Sequence, residues 1–239
     1  MTFAYYDKVV RGTEREDNLV ILQFLKGMVG ETFSFLNYYK EIPVSYDARL
    51  LSVENEMAEF EVHEYQAKVI ALEKKALIRS HPKSPVSDDL VGEVFYVNVA
   101  RKRVILTRFH YARIRSDLRR FVRVCLEGRR ADADIYIDND IVPASVRDIS
   151  LGGVALQVSD PSGIEPGTEV NLMLKLESPE DATLREIGVV GTIARILGTT
   201  TPYTCIMEFH PDRHSQQLLA YYINQRQVEI IRELKELAA

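Results

Sequence analysis

Cysteine is scarce in this sequence: two thiols in 239 residues, Cys125 and Cys205, each inside an apolar, strand-like stretch. That excludes a disulfide-stapled scaffold and leaves buried free thiols in a reducing compartment as the plain reading. Long apolar runs are missing as well; none approaches the ~20 residues that cross a bilayer as a helix, so no membrane insertion is expected. The first residues, Met1 to Lys8, lack a basic stretch followed by an apolar core. No signal peptide is therefore read, and a cytoplasmic protein is expected. An excess of positive charge is absent too. The net charge is −5, which argues against a general nucleic-acid binder, since that needs a dominant positive field.

The usual signs of catalysis are equally sparse. There is no Walker-type Gly-x-x-x-x-Gly-Lys loop and no Gly-x-Ser-x-Gly elbow. Gly152-Gly153 lacks the strand–glycine–helix setting of a dinucleotide fold. His63-Glu64-Tyr65-Gln66-Ala67 opens like a zinc-protease motif, but Ala67 stands where the second histidine must be. Cys205, His210 and His214 have a spacing that can trap zinc, but a fourth ligand is missing. Neither enzyme chemistry, nor a metal, nor a cofactor is expected.

What is present fits a globular chain of one large or two small domains, with 46% hydrophobic residues to fill their cores. Residues 1–12 read as a loose lead-in. From Arg15 to Gly30 the spacing is helical, with Leu19, Leu22, Leu25, Met28 and Val29 as a stripe widened by Ile21 and Phe24. The acidic start (Glu14, Glu16, Asp17) suits a helix N-terminus, and Gly30 suits its stop. From Ile42 to Ile114 the period falls to two, predicting strands at 48–53, 58–62, 68–72, 76–79, 93–99 and 104–109, with a loop over 81–89. Further strands are predicted near 122–126, 134–137, 145–149, 153–158, 169–176, 186–196 and 204–209. A last helix is predicted from about Ser215 to Leu237, with Leu218, Leu219, Tyr222, Ile223, Val228, Ile231 and Leu234 roughly on one side. That stripe either packs on its own barrel or forms a dimer seam, so monomer and dimer both stay open. The fold class expected is mainly β: two small antiparallel β-barrel domains with an N-terminal and a C-terminal helix.

Basic residues crowd between Arg101 and Arg130, as if for a small, compact anion. Within that segment lies Arg119-Arg120-Phe121-Val122-Arg123, an Arg-x-x-x-Arg with Arg120 inside it. About 25 residues on comes Asp148-Ile149-Ser150-Leu151-Gly152-Gly153, an Asp-x-Ser-x-x-Gly in a strand-like context. Arginine forks suit guanine O6 and N7 and phosphate oxygens, and a carboxylate suits the guanine edge that offers N–H donors. A site holding both fits a guanine nucleotide with exposed phosphate. Each run alone has a plainer reading: a solvated basic face for the first, a turn for the second. Gly153 adds its own logic, since it permits positive φ and lets a nucleotide approach the backbone without meeting a Cβ.

In this order and spacing the two runs resemble the PilZ domain, the bacterial receptor module for cyclic di-GMP. The resemblance covers about Arg113 to Ala239. It implies a six-stranded antiparallel barrel with the ligand across one face, clasped by the segment that carries the arginines. Arg119, Arg120 and Arg123 would then hold guanine and phosphate, and Asp148, Ser150, Gly152 and Gly153 would line the barrel side. No signature of the enzymes that make or degrade cyclic di-GMP is present. Residues 1–112 are similar in their order of elements to the N-terminal domain of flagellar-brake PilZ proteins, and 113–239 would be the PilZ domain. The resemblance implies a receptor that changes its interdomain arrangement on binding ligand and relays it to an unidentified protein partner in motility, pilus or exopolysaccharide control. The alternative is a PilZ-like scaffold that binds protein and no nucleotide. Leu118, which precedes the first motif arginine, cannot stack as a cation, and it favours one ligand per chain unless Arg115 or Arg120 substitutes.

Overall fold

The computed structural model describes residues 5–83, 88–115, 119–138 and 140–237. The chain divides into two compact units: one of residues 1–39, 43–119 and 233–239, the other of residues 40–42 and 120–232. Each is built around an antiparallel β-ring, so the expected fold class holds.

In the first unit the strands are β1 (Tyr6–Val9), β2 (Thr32–Tyr39), β3 (Ile42–Glu54), β4 (Met57–Glu61), β5 (Lys75–Ile78), β6 (Asp89–Asn98) and β7 (Arg103–Ile114). The sheet runs β7-β4-β3-β2-β5-β6 and closes through a β6–β7 pairing, with β1 paired to residues 111–114 of β7, past the stretch that pairs with β4. Helix α1 (Glu14–Lys26) packs Ile21, Leu22 and Leu25 into a core with Phe33, Phe35, Phe60 and Phe109. Thr13 caps it with a reciprocal box: its hydroxyl accepts from the Glu16 amide at 3.2 Å, and the Glu16 carboxylate accepts from the Thr13 amide at 2.8 Å. Buried Asp17 is satisfied by the amides of Arg11 and Gly12, at 3.0 and 3.1 Å.

Several sequence expectations need correction here. The helix stops at Gly27, not Gly30, and Leu19 and Val29 are exposed, so the seam is narrower than the apolar stripe. Residues 6–9 are a strand whose register partners, Ile114 to Tyr111, lie about 100 positions away, where local pattern cannot see them. β2 also went unread. The predicted strand at 68–72 is instead helix α2 (Glu64–Glu73), started by His63 Nδ1 accepting from the Tyr65 amide and ended by Lys74 in the left-handed region. Gln66, Ala67, Lys68, Val69 and Ile70 are all buried, so no 3.6-residue alternation reaches the sequence. In the 81–89 loop, 84–87 lie outside the described residues and Asp89 already belongs to β6.

In the second unit the strands are β8 (Val124–Cys125), β9 (Ala131–Ile137), β10 (Asp140–Ser150), β11 (Gly153–Val158), β12 (Glu169–Glu177), β13 (Leu184–Leu197) and β14 (Tyr203–Phe209). The ring is β10-β9-β12-β13-β14-β11, closed through β10–β11, and β8 lies along β10. Alternating Ala133, Ile135, Leu172, Leu174, Ile193, Cys205 and Met207 are buried. Helix α3 spans Arg213–Glu236. Its buried line is Leu219, Tyr222, Ile223, Arg226, Ile230 and Leu234, whereas Leu218, Val228 and Ile231 are exposed. The predicted stripe was displaced because its middle position is an arginine, which a search for apolar residues passes over.

Candidate functional site

The site grows from the β10–β11 hairpin. Ser150 pairs in register with Gly153, leaving Leu151-Gly152 as a two-residue turn, and the Ser150 hydroxyl donates to the Gly153 carbonyl at 3.2 Å. Neither glycine has a positive φ, contrary to the conformational freedom expected at Gly153. Gly153 is instead required by a neighbour strand: a Cβ there would lie 2.3 Å from the Met207 carbonyl oxygen of β14. At Gly152 a Cβ would lie 2.8 Å from Cδ2 of Phe121. The aromatic ring of the first motif therefore rests on the turn of the second.

A bulge falls in β10 between Val146 and Asp148, with Arg147 as the extra residue. Bulges re-aim side chains. Asp148 here is 3% exposed, and both arginines beside it reach its carboxylate. Arg147 Nε and Nη2 each donate to Oδ2 at 3.2 Å. Arg123 Nη1 lies 3.6 Å from Oδ1, an ion pair at a distance too long for a good hydrogen bond. β8 fixes that meeting, because Cys125 and Val124 pair with Asp148 and Ile149 immediately after Arg123. Burial pushes the Asp148 carboxyl above its ordinary range, while Arg123 and Arg147 pull it back and Glu41 adds to the rise.

The structure thus brings together Arg123, Asp148, Ser150, Gly152 and Gly153. Arg120 sits near them, its guanidinium 5.5 Å from the Phe121 ring centroid. Arg119 falls in the first unit, where its guanidinium lies 5.8 Å from the ring centroid of Tyr5. Leu118, on which the stoichiometry expectation turned, lies outside the described residues. Arg115, a proposed substitute, is held by Asp7, with Nε 2.6 Å from Oδ2. Sequence reasoning missed two participants, Arg147 and Phe121. Phe121 stands inside the first run and Arg147 directly precedes the second, and the signal was an aromatic between arginines and a base beside the motif carboxylate. Chemically, a buried carboxylate flanked by two guanidinium groups offers acceptors for N–H donors next to donors for anionic oxygens.

Elsewhere, His210 Nε2 lies 2.9 Å from the Thr192 hydroxyl. Among the described residues no group of three or more His, Cys, Asp or Glu side chains is gathered to hold a metal. No helix among them is long and apolar enough to cross a membrane. Both cysteines are free, Cys205 buried and Cys125 half-buried.

Residues 117–225 match the family described as the PilZ domain. Solved structures are similar to the chain at low identity. YcgR from Escherichia coli, in complex with c-di-GMP, is 11% identical, with 98% of this chain and 97% of that one covered and a TM-score of 0.43. The K. pneumonia MrkH–c-di-GMP complex is 14% identical, covering 97% and 100%, with a TM-score of 0.41. The Bacillus subtilis inhibitor of motility, MotI/DgrA, is 15% identical, covering 84% and 98%, with a TM-score of 0.40. No curated protein matches the sequence.

Proposed function

We propose that this protein, whose residues 117–225 match the PilZ domain family, is a cyclic di-GMP receptor, an effector rather than an enzyme. The observation that carries the reading is the meeting of Arg123 and Arg147 with buried Asp148 on a hairpin whose turn is covered by Phe121. In this reading Asp148 accepts from a guanine edge, while Arg119, Arg120 and Arg123 supply cations to guanine faces and phosphate oxygens. The long Arg123–Asp148 contact supports it, since a ligand oxygen can draw that guanidinium away without breaking a tight pair. Binding would draw the rest of the Arg119–Arg123 segment onto the barrel, where Phe121 and Arg123 already lie, and change the arrangement of the two domains. Such a shift requires ligand contacts that differ between the two arrangements. A protein partner would read it.

Calorimetry of the full chain with cyclic di-GMP in low salt tests the receptor function. Saturable binding in the micromolar range or tighter is expected, and no heat at tens of micromolar ligand would sink the proposal. Small-angle scattering with and without ligand tests the rearrangement separately; superimposable curves at saturation would remove that part alone.

A further inference from the structure

Behind the site lies a charged side chain to which no ligand contact is assigned. Arg226 in α3 is 1% exposed, the largest of the fully buried side chains. Its Nε donates to the Cys125 carbonyl at 3.1 Å, and its Nη1 to Glu229 Oε2 at 2.6 Å. Glu229 also pairs with Arg129, whose Nη1 donates to Glu177 at 2.7 Å. The line holds two arginines and two glutamates and runs from α3 to the end of β12. Ion-pairing Glu229 would need only a terminal nitrogen. The Nε bond to a backbone carbonyl is a second, directional contact that the planar fork allows and an ammonium cannot duplicate.

The carbonyl it grips belongs to β8, which is two residues long and sits at the end of its sheet. Val124 and Leu126 on either side of Cys125 are buried, and the Cys125 amide donates to the Lys40 carbonyl at 3.2 Å, so the Cys125 carbonyl is the side of β8 that α3 holds. Arg123 directly precedes it, and the register partner of Cys125 is Asp148 itself. The Leu126 amide donates to the Arg147 carbonyl at 2.9 Å, so the segment after Arg123 is tied to β10 from one side and to α3 from the other.

We propose that Arg226 is a positioning residue for the cyclic di-GMP site: it holds β8 in register on β10, so that Arg123 meets Asp148. The proposal rests on the receptor reading. Arg226→Lys keeps the charge beside Glu229 and loses the fork, and Arg226→Met removes both. In calorimetry on the full chain, Arg226→Lys should weaken cyclic di-GMP binding about tenfold, the worth of a hydrogen bond to a charged group. Amide exchange should quicken at 124–126 and stay unchanged in β12 and β13. In an Arg123→Ala background, Arg226→Lys should cost less than about twofold more, because its effect passes through Arg123. Unchanged affinity, a loss additive with Arg123→Ala, or exchange raised equally across the barrel would each overturn the proposal. Arg226→Met should show the same local pattern, and a barrel that unfolds in both variants would assign Arg226 to stability alone. If the wild-type chain binds no cyclic di-GMP, the receptor reading fails, and the exchange pattern still decides whether Arg226 fixes β8.

Discussion

At Asp148 two opposing effects meet, and their balance sets measurable behaviour. Burial outweighs Arg123 and Arg147, so the folded chain holds this proton more tightly than the unfolded chain does. A carboxyl with a raised folded pKa contributes most below its ordinary value, and that contribution is lost as pH rises through the raised one. Asp148→Asn does not titrate, so its urea midpoint should gain on the wild type as pH rises from about 4. A gap that shrinks instead would mean that the arginines dominate. Arg123→Ala should weaken cyclic di-GMP at least about tenfold by calorimetry, since a charge-assisted bond is worth about 1.5–3 kcal/mol. The thiols answer to burial alike: Cys205 is pushed up to about 11 and Cys125 is also raised. Thiolate is the reactive form, so at neutral pH buried Cys205 should resist iodoacetamide until the chain is denatured, and Cys125 should be labelled more slowly than in the denatured chain. Arg123 and Asp148 were legible in the sequence because their chemistry is specific. Arg147 was not, because only the bulge tells which way it points.

Elements were legible where one face meets water and the other a core. β14 alternates cleanly from Cys205 to Phe209, while β11 buries Val154, Ala155 and Leu156 in a row between its flanking turns, and the positions of both match the sequence expectation almost to the residue. α2 buries five consecutive residues, Gln66 to Ile70, and β1 pairs with residues about 100 positions away, so neither leaves a local pattern. Caps were half legible. The acidic first turn marked the start of α1, yet the Thr13 box is what fixes it, and Thr13→Ala should cost about 1 kcal/mol in urea unfolding. Glycines divide by what crosses them. Gly153→Ala and Gly191→Ala both drive a Cβ to 2.3 Å from a β14 carbonyl, of Met207 and of Glu208 respectively. Each should lower the thermal midpoint by the equivalent of about 1–3 kcal/mol. Gly188→Ala would meet only Met173 Cε at 3.7 Å and should stay within about 0.5 kcal/mol of wild type.

Across the whole molecule, the arginine-dense segment carries less free charge than its composition suggests. Arg103, Arg108, Arg115, Arg123, Arg129 and Arg130 are each met by a carboxylate: Glu61, Glu93, Asp7, Asp148, Glu177 with Glu229, and Asp132. Duplex DNA should therefore bind weakly in a fluorescence anisotropy titration at physiological salt, and a tight, steeply salt-dependent isotherm would contradict this. The arginines are spread over several strands and matched locally, which the linear sequence could not convey. Gly153 carries the wider lesson for reading relatives of this chain. Its hydrogen faces the oxygen of another strand, so the ring would demand a glycine there whether or not a nucleotide ever arrived. Two pressures are written into one six-letter string. On the receptor reading proposed above, a descendant that gave up its ligand would be free to shed Arg119, Arg123 and Asp148, and would still have to keep Gly153 in order to close the ring. A surviving glycine therefore reports the barrel, and on that reading only the surviving charges report the messenger.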